Sequence, residues 1–354
     1  MRYGDYYEGN WKNDKINGKG EMRYKNGDYY DGDWINDKKE GKGKIEYKNG
    51  DHYDGDWIND KKEGKGDYKY KNGDYYEGNW KNDFQNGYGK KIYNKKIYYD
   101  GNFNNGNRDG LGKIKFTDKN DILKIIFKND KMEEEGEYYY KNGNKFKGII
   151  NNKFEPVKGK MNYVNNDEYE GELDENGKRK GKGLMKYKNN EIYFGEWEND
   201  FKNGEGLFCS NYNDYQILIN NIEMCKTNNI YNIFELKITN FFYKGEFRND
   251  KMEGKGILYM INKNELFYNN TIFEGNFKDN HKFGYGCIYF KKNYIFECFW
   301  IDNNIIDIEK EGIFHLNNSI YFKNNFTYEN WKVFIKKVTF GNIKKNPSMK
   351  KIKR

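Results

Sequence analysis

Side chains able to do chemistry are scarce in this 354-residue chain, and none falls at a catalytic spacing. The three histidines, His52, His281 and His315, lie far apart, with no His-Glu-x-x-His pair to grip a zinc ion. Serine is equally rare, at Ser210, Ser319 and Ser348. Cys209, Cys225, Cys287 and Cys298 show no Cys-x-x-Cys spacing, so a reduced cytosolic setting is expected for them rather than disulfides. Cys209 or Cys287 with His281 is the one nucleophile pair on offer, and no spacing sets it up. Gly-Lys-Gly recurs, but no Gly-x4-Gly-Lys runs into Ser or Thr, which excludes a phosphate loop. Asp174-Glu175-Asn176-Gly177 has its glycine misplaced for a calcium loop and lacks the closing glutamate. The expectation is a chain with no catalytic residue, no metal site and no cofactor.

One segment has leverage of another kind. Lys332, Lys336, Lys337, Lys344, Lys345, Lys350, Lys351, Lys353 and Arg354 fall in residues 332–354, which contain no acidic group. Over residues 1–331, 54 basic groups meet 55 acidic ones, so the body is close to neutral and the net +8 sits in the tail. Trp331, Val333, Phe334, Ile335, Val338 and Phe340 interleave with the first lysines. That mixture could seat apolar groups in a bilayer interface while each lysine gains about 1 kcal/mol from anionic lipids. Equally, residues 332–341 could be a capping strand and 344–354 a solvated end. Nucleic acid is not expected as a partner, because a neutral body offers no broad basic face. Without a signal peptide, an apolar 18-mer or a prenylation box, the expected location is cytoplasmic. The sequons at Asn269, Asn317 and Asn325 read as chance in so Asn-rich a chain.

The elements that position these groups are repeats. Tyr7-Glu8-Gly9-Asn10-Trp11 returns as Tyr30-x-Gly32-x-Trp34, Tyr53-x-Gly55-x-Trp57, Tyr76-x-Gly78-x-Trp80 and Tyr99-x-Gly101-x-Phe103, always 23 residues on. A glycine pair follows each: Gly18/Gly20, Gly41/Gly43, Gly64/Gly66, Gly87/Gly89 and Gly110/Gly112. Looser units begin at Leu123, Phe146, Tyr169, Tyr193, Tyr243, Phe273 and Phe296, making about twelve, with a fragment near Phe322. The chain has no alanine and only two prolines, with 39 glycines and 19% aromatics, a composition that favours strand and turn over helix. With 33% charged and 36% hydrophobic residues it cannot fill one thick core, whereas a thin sheet with an aromatic face fits.

Alternation places Tyr7, Gly9 and Trp11 on one face of a strand and Glu8, Asn10 and Lys12 on the other. Glycine opposite tryptophan leaves room for the indole. Asn26-Gly27 and Asn49-Gly50 suit a tight two-residue hairpin turn with positive φ at both positions. Each unit is therefore a hairpin, and the fold expected is all-β, an elongated antiparallel meander of tandem 23-residue hairpins, a dozen spanning on the order of 120 Å. Tyr7, Trp11, Tyr30, Trp34, Tyr53, Trp57, Tyr76, Trp80, Tyr99, Phe103, Trp197 and Trp300 are its expected core, and the carboxylates Glu8, Asp31, Asp54 and Glu77 a solvated strand face.

The pattern Tyr-x-Gly-x-Trp-x6-Gly-x-Gly resembles the MORN (membrane occupation and recognition nexus) repeat over about residues 3–330. The resemblance implies an elongated β-meander, often homodimeric, that scaffolds protein partners near membranes or at cytoskeletal, cortical or division structures. It also implies two alternatives, direct anionic phospholipid binding and service to a separate enzyme such as a lipid kinase. The chain divides into regular repeats at 1–122, degenerate repeats at 123–168, repeats at 169–207, an insertion at 208–242, divergent repeats at 243–330 and the basic tail at 331–354. Loss of tryptophan in the units from Leu123 and Phe146 predicts a kink or a specialised surface over 120–165. The insertion, with Ile217-Leu218-Ile219 and Ile230 to Ile238, is expected to be a mobile loop with some strand. The uncapped first edge is expected to recruit another strand and so favour self-association.

Overall fold

The computed structural model describes residues 4–221, 230–261, 270–290, 294–305, 312–316 and 319–324. They form two compact units, Met1–Val164 and Asn165–Arg354. In the first unit the strands are β1 (Tyr6–Lys12), β2 (Lys15–Arg23), β3 (Tyr29–Ile35), β4 (Lys38–Glu46), β5 (His52–Ile58), β6 (Lys61–Lys69) and β7 (Tyr75–Lys81). There follow β8 (Phe84–Tyr93), β9 (Ile97–Asn104), β10 (Asn107–Phe116), β11 (Ile122–Lys128), β12 (Lys131–Tyr139), β13 (Lys145–Ile150) and β14 (Pro156–Asn162). Each pairs antiparallel with the next, so the first unit is a hairpin meander as the repeats predict. The second unit repeats the scheme with β15 (Glu168–Leu173), β16 (Arg179–Lys186), β17 (Ile192–Glu198), β18 (Phe201–Cys209), β19 (Phe242–Arg248) and β20 (Lys251–Met260). It continues through β21 (Thr271–Lys278), β22 (His281–Phe290), β23 (Tyr294–Ile301), β24 (Asn304–Ile305), β25 (Gly312–Leu316) and β26 (Ser319–Asn324).

The two glycines of each pair do different jobs. In the second hairpin Gly32 faces Gly43, but Trp34 faces Lys39, so Glu40, Gly41 and Lys42 bulge against Asp33. Gly41 sits in the bulge at φ 66°, left-handed backbone that a side chain strains. The Asp33 carboxylate accepts the bulged Lys42 N–H at 3.1 Å, and Asp56 accepts that of Lys65 at 2.8 Å. Gly43 is needed for space instead. A Cβ there would lie 2.2 Å from the Tyr30 hydroxyl, because the Tyr30 ring lies across Gly32 and Gly43. The ring on the glycine seam is therefore tyrosine, and tryptophan stands opposite the bulge glycine, as in Gly41↔Trp57.

The turns also differ from the sequence expectation. Two-residue turns with both φ positive are made by Asn36-Asp37, Asn59-Asp60 and their equivalents, Asn105-Gly106 among them, and not by Asn26-Gly27 or Asn49-Gly50. At Asn26-Gly27 only the glycine is left-handed, in a wider loop where Gly27 N–H donates to Tyr24 O and Tyr24 N–H to Asp28 O. Aspartates bond both loop edges to the neighbouring hairpin: Asp60 accepts from Lys39 N–H at 2.9 Å, and Asp28 from Lys48 N–H at 2.8 Å. Since a lone hairpin is marginal, such links and the shared seam carry the stability.

No break in pairing accompanies the degenerate repeats. Ile125 takes the seam position between Gly112 and Gly136, and Leu123, Ile125 and Phe127 are buried where Tyr, Gly and Trp stand elsewhere. Leu123 is too short to cross the seam, and Ile125 fills it from below. An apolar patch thus stands at Leu123, Ile125 and Phe127, within the stretch where the sequence predicts a kink or a specialised surface.

The insertion is helical. Tyr212–Asn220 forms α1, capped by the Asn211 side chain on Asp214 N–H, and a 3-10 helix covers Ile230–Glu235. Asp214 is fully buried and accepts from Thr239 N–H at 2.9 Å and Asn240 N–H at 2.8 Å, pinning α1 to the entry of β19. Tyr215, Leu218, Ile233 and Ile238 pack on Ile192, Cys209, Phe242, Tyr259 and Ile272 of the sheet. The β-prone Ile217-Leu218-Ile219 run is overridden by the cap and by this packing.

Candidate functional site

The expected core residues form an edge-to-face spine along the seam. In the first unit Tyr30 meets Trp34 at 5.1 Å and Trp57 at 5.4 Å, and Tyr53 meets Trp57 at 5.3 Å and Trp80 at 5.2 Å. Tyr76, Phe103 and Tyr99 continue it, and Tyr7, Tyr30, Tyr53, Tyr76, Tyr99, Trp34, Trp57, Trp80 and Phe103 are buried. The tyrosine hydroxyls donate to backbone, Tyr76 to Asn79 O at 2.8 Å, and the indoles donate to the seam, Trp57 to Gly43 O at 3.0 Å. In the second unit Trp197 donates to Gly183 O at 3.2 Å, and Trp300 is buried against Phe273. Trp11 departs from the expectation: it is 49% exposed. Each buried tryptophan rests on the tyrosine or phenylalanine of the hairpin before it, as Trp34 does on Tyr7 and Trp300 on Phe273, and no described hairpin precedes Trp11.

A row of cations over this spine escaped the sequence reading. Lys39 Nζ stands 4.8 Å from the Trp57 ring, Lys62 5.3 Å from Trp80 and Lys282 4.8 Å from Trp300. Arg108 lies 4.2 Å from Phe127 and Arg179 4.1 Å from Trp197. Burial lowers the pKa of Lys39, Lys62 and Lys202. The signal was present two residues before each bulge glycine, where a long side chain recurs. These groups are spent on packing, and no three potential ligands cluster for a metal ion among the described residues. Burial pushes the Cys209 thiol up to about 12 and Cys287 up to about 11, the direction that disfavours a reactive thiolate.

The outer face of the sheet differs between the units. In the first, one cross-strand row reads Glu8, Glu21, Asp31, Lys44, Asp54, Asp67 and Glu77, then Lys90, Asp100, Lys113, Lys124, Glu137, Lys147 and Lys160. Acidic groups dominate its first half and basic groups its second. In the second unit the same row holds Leu184, Phe194, Leu207, Lys244, Ile257, Glu274 and Cys287. This apolar row is the floor of a groove of about 680 Å³, walled by Leu218, Ile219 and Ile233 of the insertion. Lys182, Glu196, Glu205 and Lys255 stand on its rim, and Phe194 on the floor is 39% exposed. The sequence signal was the loss of charge at positions that alternate with the seam, which repeat counting passed over. Lys332, Lys336, Lys337, Lys344, Lys345, Lys350, Lys351, Lys353 and Arg354 lie outside the described residues, as does Cys225.

No curated protein matches the chain. Among solved structures it is similar to a mutant of the TCP10 domain of Danio rerio CPAP, at 8% identity and a TM-score of 0.25, covering 74% of this chain and 96% of that one. The CPAP G-box domain matches at 9% identity and a TM-score of 0.20 over 51% of this chain and 93% of that one. Virginiamycin B lyase from Staphylococcus aureus matches at 10% and 0.12 over 88% and 96%. At such scores these likenesses carry no argument. The profile of the MORN repeat matches residues 7–29, 30–52, 53–75, 76–96, 99–120, 126–145, 169–192, 193–213, 243–264 and 273–293. With seam, bulge and spine recurring in those same segments, the chain belongs to the MORN repeat family.

Proposed function

We propose that this chain is a non-enzymatic adaptor that holds protein partners at a membrane-associated or cytoskeletal structure, with its outer sheet face as the docking surface. MORN repeats are protein- and membrane-associated repeats, which supports the general class. The observation that carries the reading is the charged row of the first unit, acidic from Glu8 to Glu77 except at Lys44 and mainly basic from Lys90 to Lys160. Such a surface steers partners of matched charge and fixes their direction along the row. The triple variant Asp54→Lys, Asp67→Lys, Glu77→Lys tests it by affinity capture from the native cell type across a salt series. Partners held by the unaltered chain should be lost from the variant; an unchanged set would overturn the reading. Co-sedimentation with anionic and neutral vesicles, for the full chain and for residues 1–331, assigns any membrane contact. Salt-reversible binding by the full chain alone places it in the tail. Binding by residues 1–331 would favour direct lipid recognition by the repeats instead.

A further inference from the structure

We infer that the groove under the insertion is a binding site for the chain's own segment Trp331–Phe340. The cross-strand row along the groove floor reads Phe194, Leu207, Lys244, Ile257, Glu274 and Cys287, and it continues through Glu297 and Ile313 to Lys323 on β26. Asn324, where β26 ends, pairs with Gly312 beside that row. The last described strand thus ends level with the groove floor. From β22 at the groove's end to β26 there are three strand spacings, about 14 Å. Trp331 lies seven residue steps beyond Asn324, a reach of about 23 Å when extended, so the segment can arrive without moving the sheet.

Chemistry fits as well as distance. Six of the ten residues Trp331–Phe340 are large and apolar, the densest such run after β26, and Trp331, Phe334, Ile335 and Val338 have the spacing of one helical face. An apolar stripe laid in an apolar groove is a recurring recognition mode, and the cavity lies in the size range that takes a compact apolar ligand. Glu196 and Glu205 on the rim and Glu274 on the floor offer acidic partners to Lys332, Lys336 and Lys337, while Lys182 and Lys255 on the rim and Lys244 on the floor keep the groove neutral overall. Apolar fit therefore decides occupancy. The site ties the basic end of the chain to the second unit and covers Phe194 and Leu207, which are otherwise open to solvent or partly so.

The test is photo-crosslinking of the full chain carrying p-benzoylphenylalanine in place of Phe334. It is run on an equal mixture of nitrogen-14 and nitrogen-15 protein, with crosslinked peptides mapped by mass. Expected are crosslinks to the peptides of Phe194, Leu207 or Ile257, of single isotopic composition. Mixed-isotope crosslinks would give the groove to a second copy and overturn the inference, as would crosslinks confined to other surfaces. Phe194→Glu changes a half-open floor residue, so the fold should survive, checked by an unchanged circular dichroism spectrum. It should lower the crosslink yield by about tenfold, the effect of a charge on an apolar contact. An unchanged yield would remove the groove from the inference. Vesicle binding and partner capture read the proposed function separately, so either proposal can fail alone.

Discussion

Glycine in this chain marks two different constraints, and substitution separates them. Gly43→Ala places a methyl on the Tyr30 ring and should cost roughly 1–3 kcal/mol through overpacking of the seam. Gly73, at φ 90°, has open space where a side chain would begin, with no atom within 4 Å of that point. As alanine it should cost about 1 kcal/mol, from backbone strain alone. Urea denaturation of the two variants checks the order. Trp57→Phe keeps the edge-to-face contact with Tyr30 and loses the bond to Gly43 O, so a loss of about 1–2 kcal/mol is expected. Phe103 occupies the same slot two units further on, which supports that tolerance. Alkali acts through the tyrosines. Burial raises the pKa of Tyr30, Tyr53, Tyr76 and Tyr243, whereas the unfolded chain releases those protons near pH 10. Above that pH the folded state holds more protons, so stability present below pH 10 falls as pH rises, by up to about 1.4 kcal/mol per unit for each such tyrosine. Lys39, Lys62, Lys91 and Lys202 oppose this, since their lowered pKa makes stability rise through their folded values toward 10.5, but they are outnumbered, because burial also raises Tyr24, Tyr47, Tyr99, Tyr138 and Tyr193. Thermal melts from about pH 9 to about pH 11 should show a falling midpoint, with a further step in tyrosinate absorbance from the buried tyrosines as the sheet melts. The roles of Tyr30 and Trp57 could be read from their spacing. That Trp11 lies open could not, because its cover must come from another hairpin.

At the level of elements, strands were legible because alternation and period agree over many copies. The turns were not: Asn-Gly and Asn-Asp both suit positive φ, and only the bulge at Gly41, which shifts the register by two residues, decides which pair closes the hairpin. The insertion misled for a different reason. Its Ile217-Leu218-Ile219 run favours strand locally, whereas Asn211 and Asp214 fix a helix through bonds to residues 25 or more positions away. Asp214→Ala removes the acceptor of Thr239 and Asn240 and should release α1, at a cost of about 2–5 kcal/mol confined to the insertion. Hydrogen exchange should quicken over Tyr212–Asn220 and stay slow in β1–β14. The groove beside α1 was hidden for the same reason: its floor residues alternate correctly, and only their apolar character sets them apart.

For the whole molecule, the architecture follows from near-neighbour links. The seam, spine and turn contacts described lie within a hairpin or join it to the one before or after, so stability is close to a sum over units and interfaces. Residues 1–164 expressed alone should therefore fold, with the strand signature of the first unit and a cooperative urea transition; a spectrum without strand would contradict this. The same locality bears on how such a chain can lengthen. On one edge the Asn-Asp turns hold the connection to two residues, apart from the five-residue turns at 151–155 and 174–178. The opposite edge admits the whole insertion between β18 and β19, where Ser210 N–H and Oγ–H both donate to Phe241 O and close its base. Beneath it Gly206 still faces Gly245, and the spine runs on from Tyr193 to Phe247. Closing a longer loop costs only about 0.6 kcal/mol per doubling of its length. One margin of the sheet is thus a fixed hem and the other a free one, where new chain can be stitched in without disturbing the weave. A small folded domain spliced at Asn72-Gly73 should leave the melting midpoint of the host unchanged.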